Sequence, residues 1–141
     1  MRPDQIFSIC NAIVLPGWFT LIFVPRWRWT QRIAAFFLPL LLALVYLFLI
    51  ATNFRPGQGG RTLAEAAQLF ANPHLLLACW IHYLVFDLFI GAWEVRDAIR
   101  YQIPAIIRWP CLLLTLMFGP IGLLSYLLLR GSLRRKWEIA E

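Results

Sequence analysis

Four long stretches of this chain carry almost no formal charge. Residues 5–25, 33–54 and 109–129 have none, and 74–93 has a single one, Asp87. Each is close to the roughly 20 apolar residues that a helix needs to cross the hydrocarbon core of a membrane. Lipid offers no partner to a backbone N–H or C=O, so a segment of this length crosses as a helix that satisfies itself. The chain has 141 residues, 61% hydrophobic and 14% charged, so four such segments leave no room for a separate aqueous domain. The expected fold class is all-α: a polytopic membrane protein, a four-transmembrane-helix bundle. It forms one membrane domain over 1–141, with spans at about 5–25, 33–53, 74–98 and 105–130.

The first apolar run exceeds the usual length of a signal-peptide core, and no small-residue cleavage pattern follows it. Pro25 leads instead into Arg26-Trp-Arg-Trp-Thr-Gln-Arg32, where indoles alternate with guanidinium groups as in an interfacial anchor. The net charge of +6 is spread over both membrane faces, which excludes a nucleic-acid surface. Cys10, Cys79 and Cys111 each fall inside a span with no C-x-x-C spacing, so they read as small buried hydrophobes. Four spans put both termini and the loop around 55–73 on one side. That side has Arg2, Arg55, Arg61, Arg130, Arg134, Arg135 and Lys136, against Arg26, Arg28, Arg32, Arg96, Arg100 and Arg108 on the other. Counts so nearly equal do not orient the chain.

Punctuation along the chain is informative. Span one carries Asn11 and Pro16-Gly17-Trp18, and its proline bends the helix and frees a carbonyl. Span two is almost wholly aliphatic and aromatic, the best lipid-facing scaffold. The connection from Arg55 is turn-rich, and Thr62 with Glu65 matches a capping box for a short helix over Leu63–Phe70, ended by Asn72-Pro73. Span three continues as a helix to Tyr101 before Pro104 resets the backbone. In span four, Pro110 sits in the first turns and Gly119-Pro120 midway, where a kink is expected. His74, beside Pro73, reads as interfacial.

Asp87 is the only formally charged residue between Glu65 and Glu94. Such a group at bilayer depth costs at least ~2.5 kcal/mol, so it faces a bundle interior and serves a purpose. On a helical wheel with His82 at zero, Cys79 and Asp97 fall near 60°, Tyr83 and Tyr101 near 100°, Glu94 near 120° and Asp87 near 140°. This gives one wet stripe opposite Leu84, Val85, Leu88 and Phe89. On span four, Thr115, Gly119, Gly122 and Tyr126 project on the same stripe as Arg108. Small residues there let two helices approach closely, and Arg108 is the natural counter-ion for Glu94 or Asp97.

Three readings of this constellation stay open. Asp87, Glu94, His82 and Asp97 are the candidate catalytic groups of an acid/base site in a low-dielectric pocket. Asn11, Trp18, Tyr83, Trp93, Arg108, Thr115 and Tyr126 are the candidate substrate contacts. A divalent metal suits the N/O donor set, but the groups are spread over more than two turns without an H-E-x-x-H pattern, so no metal and no cofactor is assigned. The third reading is a set of interhelical hydrogen bonds and one salt bridge that fix the bundle.

Several sequence elements resemble a known family. They are Asn11 with Leu15-Pro-Gly-Trp18 and Pro25, the block His82-Tyr-Leu-x-Phe-Asp87-Leu-Phe-x-Gly91-x-Trp93-Glu94-x-Arg96-Asp97, and Ile103-Pro104 with Pro110-Cys111 through Thr115, Phe118-Gly119-Pro120 and Gly122. Together they are similar to the abscisic-acid-deficient-4-like family of small membrane proteins, whose plant members are associated with neoxanthin synthesis. The resemblance implies an isomerase that converts the epoxy-carotenoid violaxanthin to the allenic neoxanthin, with no residue roles to carry over. The chain begins almost at span one without a Ser-rich transit extension, so a multi-pass protein of a bacterial inner membrane is expected. The expected partners are membrane lipid and an apolar isoprenoid ligand, with self-association left open. A non-enzymatic protein that holds an isoprenoid or quinone, or serves a membrane complex, is the alternative.

Overall fold

The structure is a computed structural model and describes residues 2–55 and 62–134. The described residues are helical, with no strand. Helix α1 runs Pro3–Phe23, α2 Thr30–Asn53, α3 Leu63–Phe70, α4 Pro73–Arg100, α5 Ala105–Phe118 and α6 Pro120–Arg134. Three of them, α1, α2 and α4, are long and apolar enough to cross a membrane.

Local sequence accounts for most of the boundaries. Proline starts α1, α4 and α6, where a missing N–H costs nothing. In α2, residues Ile33–Phe37 form a π turn just ahead of Pro39. Proline has no N–H for the carbonyl four residues back, and the widened turn absorbs the mismatch. Thr62 caps α3 as its spacing predicts, its hydroxyl accepting from the Glu65 N–H at 3.2 Å. Asn72 caps α4 by accepting from the His74 N–H at 3.0 Å. The α4 terminus is a Schellman turn in which the Ile103 N–H donates to the Ala98 carbonyl at 2.8 Å, with Gln102 in the left-handed region at φ 52°. Residues 56–61 of the turn-rich connection, and Arg135 and Lys136 of the basic tail, lie outside the described residues.

Helix α4 is the axis of the molecule. It packs against α1, α2 and α5, and more lightly against α3 and α6. Its buried positions include Leu77, Ala78, Ile81, Leu84, Leu88, Ala92, Val95 and Ala98, together with Asp87, Glu94 and Asp97. Small residues allow the close approach. A methyl group on Gly91 would lie 2.7 Å from the Trp18 ring, and one on Gly17 would lie 2.9 Å from Leu38 and Leu88. Helix α2 is the most lipid-like of the three, exposing Phe36, Phe37, Leu40, Leu44, Leu47 and Phe48. Cys10 and Cys111 are buried, Cys79 is half-buried, and all three are free thiols.

The expected fourth span, 105–130, is two helices rather than one. The break at Gly119 (φ 46°, ψ −95°) is far sharper than the kink a proline alone produces. Contacts along α4 give the direction of each half. Thr115 reaches Glu94, a methyl group on Gly119 would lie 2.8 Å from Asp87 Oδ1, and Tyr126 and Arg130 then return to Asp97. Helices α5 and α6 therefore form a hairpin that enters from the Tyr101 end, turns beside the middle of α4 and leaves by the same end. At 14 and 15 residues they extend about 21 and 22 Å, short of the ~30 Å core. Among the described residues the structure thus has three continuous apolar helices, and the expected fourth span is a hairpin of two shorter ones.

The hairpin changes where the last helix ends. Pro3 lies with Pro73 at one end of the molecule, and Arg130 lies with Tyr101 at the other. The shared side expected for the two ends is not seen: the first and last described helix ends lie at opposite ends of the molecule. We call these the proximal (Pro3) and distal (Tyr101) faces.

Candidate functional site

The two halves of the hairpin press together where both carry small residues. A methyl group on Gly122 would collide with the Thr115 backbone. The small-residue stripe expected to meet span three thus serves first to fold α5 and α6 against each other. This packing places the hairpin tip at Asp87 and the hairpin body along Glu94 and Asp97.

Each of the three carboxylates meets the hairpin differently. Asp97 is fully engaged. Its Oδ1 pairs with Arg130 Nη1 at 3.0 Å, and its Oδ2 accepts from the Tyr126 hydroxyl at 2.6 Å. Arg130 is wholly buried between the rings of Trp93 and Tyr101, 5.9 and 5.7 Å from their centroids. Trp93 in turn meets Tyr126 edge to face at 5.7 Å. This is a clamp that fastens the distal end of α6 to α4.

Glu94 is wholly buried, and among the described residues it has no ion pair. Its two oxygens lie 2.9 and 3.1 Å from Thr115 Oγ1, which also lies 3.0 Å from the Cys111 carbonyl. A hydroxyl has one proton to give, so Thr115 serves either Glu94 or the Cys111 carbonyl. Asp87 is the least occupied of the three. It lies buried at the hairpin tip with the Tyr83 hydroxyl within hydrogen-bonding reach one turn back along α4. Its Oδ2 has no partner.

Tyr83 joins this carboxylate to the outside. A groove of about 530 Å³ is lined by Asn11, Val14 and Leu15 of α1, Trp80, Tyr83 and Leu84 of α4, and Leu116 and Met117 near the hairpin tip. A second hollow of about 460 Å³, between the proximal ends of α1 and α4, shares Trp80 and Tyr83 with it. Asn11 shapes the wall by donating to the Phe7 carbonyl at 2.7 Å and accepting from Trp80 Nε1 at 3.2 Å.

The remaining sequence candidates fall elsewhere. His82 points outward, ringed by Phe86 at 4.5 Å and Tyr46 at 5.9 Å, so it is not part of the constellation. The wheel explains the error. A 140° arc is too wide for one face, and the outward side of α4 is centred on His82, with Phe86, Phe89, Arg96 and Arg100 exposed beside it. Trp18 is core, seated on Gly91. Trp93 and Tyr126 serve the clamp, and Thr115 holds Glu94. Arg108 is buried but pairs with no carboxylate among the described residues, and the counter-ion of Asp97 is Arg130. The sequence reading counted Arg130 only among the basic residues on the side of the chain ends. Its one signal was the Tyr126-x-x-x-Arg130 spacing, which puts the two on one helical face. The described residues hold no cluster of three or more His, Cys, Asp or Glu able to grip a metal.

The model of a family described as ABA DEFICIENT 4-like matches residues 5–126. The chain belongs to that family. A relative named Protein ABA DEFICIENT 4, chloroplastic, from Arabidopsis thaliana, is 22% identical over 145 residues, which cover 96% of this chain. The chain spans 64% of the length of that relative. No solved structure matches it. The plastid location belongs to the relative and lends no support to the expected bacterial inner membrane.

Proposed function

We propose that this family member is an isomerase acting on a carotenoid or another long isoprenoid, with the Asp87–Tyr83 pair as its acid/base centre. What carries the reading is the contrast between the carboxylates. Asp97 is spent on the clamp and Glu94 on Thr115, while Asp87 keeps an unpartnered oxygen behind a tyrosine that lines an apolar groove. A buried polar atom without a partner is costly, and such costs gather at functional sites.

The chemistry implied by the family resemblance suits this pair. In an epoxide-to-allene isomerisation a base takes a proton from the adjacent carbon. That C–H electron pair becomes a new C=C bond, the C–O bond breaks, and the oxygen gains a proton. One proton is removed and one is given, so no oxidant or reductant is needed. Tyr83 gives its proton to the departing oxygen and Asp87 collects the carbon-bound one. Transfer from Asp87 to Tyr83 along their contact restores both groups. The groove takes the apolar chain directly from lipid.

Asp87→Asn in a host that accumulates an epoxy-carotenoid should lower conversion by about 100-fold or more, read by chromatography of extracted pigment. Tyr83→Phe should lower it as well. Gel filtration in detergent checks that each variant stays folded. Conversion by Asp87→Asn at the native rate would sink the proposal. One observation favours a second reading, that of a protein that only holds an isoprenoid or serves a membrane complex. Two of the three intramembrane carboxylates are used to fasten helices. Under that reading the pigment co-purifies chemically unchanged.

A further inference from the structure

Arg108 is a sequence candidate that neither the acid/base pair nor the clamp uses, and its surroundings are unusual. It is 7% exposed, its Nε has no partner, and among the described residues no carboxylate pairs with it. It lines a cavity of about 490 Å³ at the distal face, where α1 ends and α4 turns into α5. Arg26, exposed at the end of α1, lines the same cavity, so two guanidinium groups share it with no acidic side chain on its walls. Helix α5, 14 residues long, starts at this cavity after Pro104 with no side-chain cap, and Ala105 is part of the wall. The positive end of a helix and two arginines thus meet at one point.

A buried guanidinium facing a second like charge is unfavourable unless an anion completes the site. We infer that Arg108, Arg26 and the first turn of α5 bind a phosphate group at the distal membrane face. The planar forks of two arginines match the oxygens of a tetrahedral phosphate better than a single carboxylate. The cavity lies at the end of the apolar helices, level with the headgroup region, so either a phospholipid headgroup or free phosphate reaches it. The site stands independently of the chemistry proposed for Asp87.

The test uses the full chain in an uncharged detergent, titrated with dioleoylphosphatidylglycerol in mixed micelles or with inorganic phosphate, and reads the unfolding temperature. A saturable rise is expected with at least one of them and none with dioleoylglycerol. A response to the lipid alone identifies a headgroup site, and a response to phosphate as well identifies a free-anion site. Arg108→Gln and Arg26→Gln should each weaken half-saturation by about tenfold or more, the worth of one charge-assisted hydrogen bond. Arg28→Gln, at the same face but stacked on Trp29, should titrate as the native chain does. Arg26 is exposed, so its variant keeps the test sound even where Arg108→Gln fails to fold. No saturable response to either ligand, or an Arg26→Gln titration identical to that of Arg28→Gln, would overturn the inference.

Discussion

The three carboxylates of α4 look alike in sequence and differ in what they touch. Asp97 has two strong partners, so replacing it leaves Arg130 charged, buried and uncompensated. Asp97→Asn should therefore destabilise the protein by about 3–5 kcal/mol, seen as a large fall in the thermal midpoint in detergent. A midpoint within a degree of the native one would mean that the clamp carries no stability. His82→Leu is the contrasting case. His82 lies outside the polar core, so both stability and pigment conversion should stay close to native, within about 0.5 kcal/mol for stability. The faces of Glu94 and Thr115 were legible, since seven-residue steps from Asp87 and Arg108 place them on facing stripes. Their pairing was not: the sequence offered Arg108 as the partner of Glu94, and the structure puts Thr115 there. The partner of Asp97 was not legible, because spacing reports which face a residue occupies and not which neighbour arrives there.

At the scale of elements, the hairpin α5–α6 decides the site. Sequence marks its turn plainly, since Gly119-Pro120 pairs a residue free to adopt positive φ with one that cannot continue a helix. Whether such a pair kinks a span or reverses it depends on what the two halves pack against. Here Gly122 against Thr115 and Gly119 against Asp87 favour reversal. Gly119→Ala forces a side chain into the left-handed region and against the Asp87 carboxylate, which should cost about 1–3 kcal/mol. Gly122→Ala should be worse, because the atom it meets is backbone and cannot swing aside. Thermal unfolding of both variants checks this order, and two native-like midpoints would argue against a tightly packed hairpin. Elements whose signals are wholly local were read correctly from sequence, among them the Leu63–Phe70 helix with its Thr62 cap and the α4 terminus near Tyr101.

At the scale of the whole molecule, three long apolar helices and a hairpin redistribute the basic residues. Among the described residues the distal face gathers Arg26, Arg28, Arg32, Arg96, Arg100, Arg108 and Arg130, while the proximal end has Arg2 and Arg55. Counts that were nearly equal under four spans are now lopsided, and the positive-inside rule predicts a cytoplasmic distal face with Pro3 on the opposite side. A reporter that fluoresces only in the cytoplasm should be bright when fused after the last residue and dark when fused before the first. Equal brightness at both ends would restore four continuous crossings and reject the hairpin.

Sequence by itself determined that this chain is helical and apolar, which family it belongs to, and that its polar residues concentrate on one helix. These follow from composition, periodicity and motif, properties each segment carries alone. Only the tertiary structure decided that the last apolar run turns back on itself, and that Asp97 is consumed by Arg130 while Asp87 keeps a vacant oxygen. It also decided that Arg108 faces a second arginine instead of an acid. The reason is physical. A helix specifies which residues share a face, but hydrogen bonds and ion pairs form between faces, and the packing of glycines at the hairpin turn decides which faces meet.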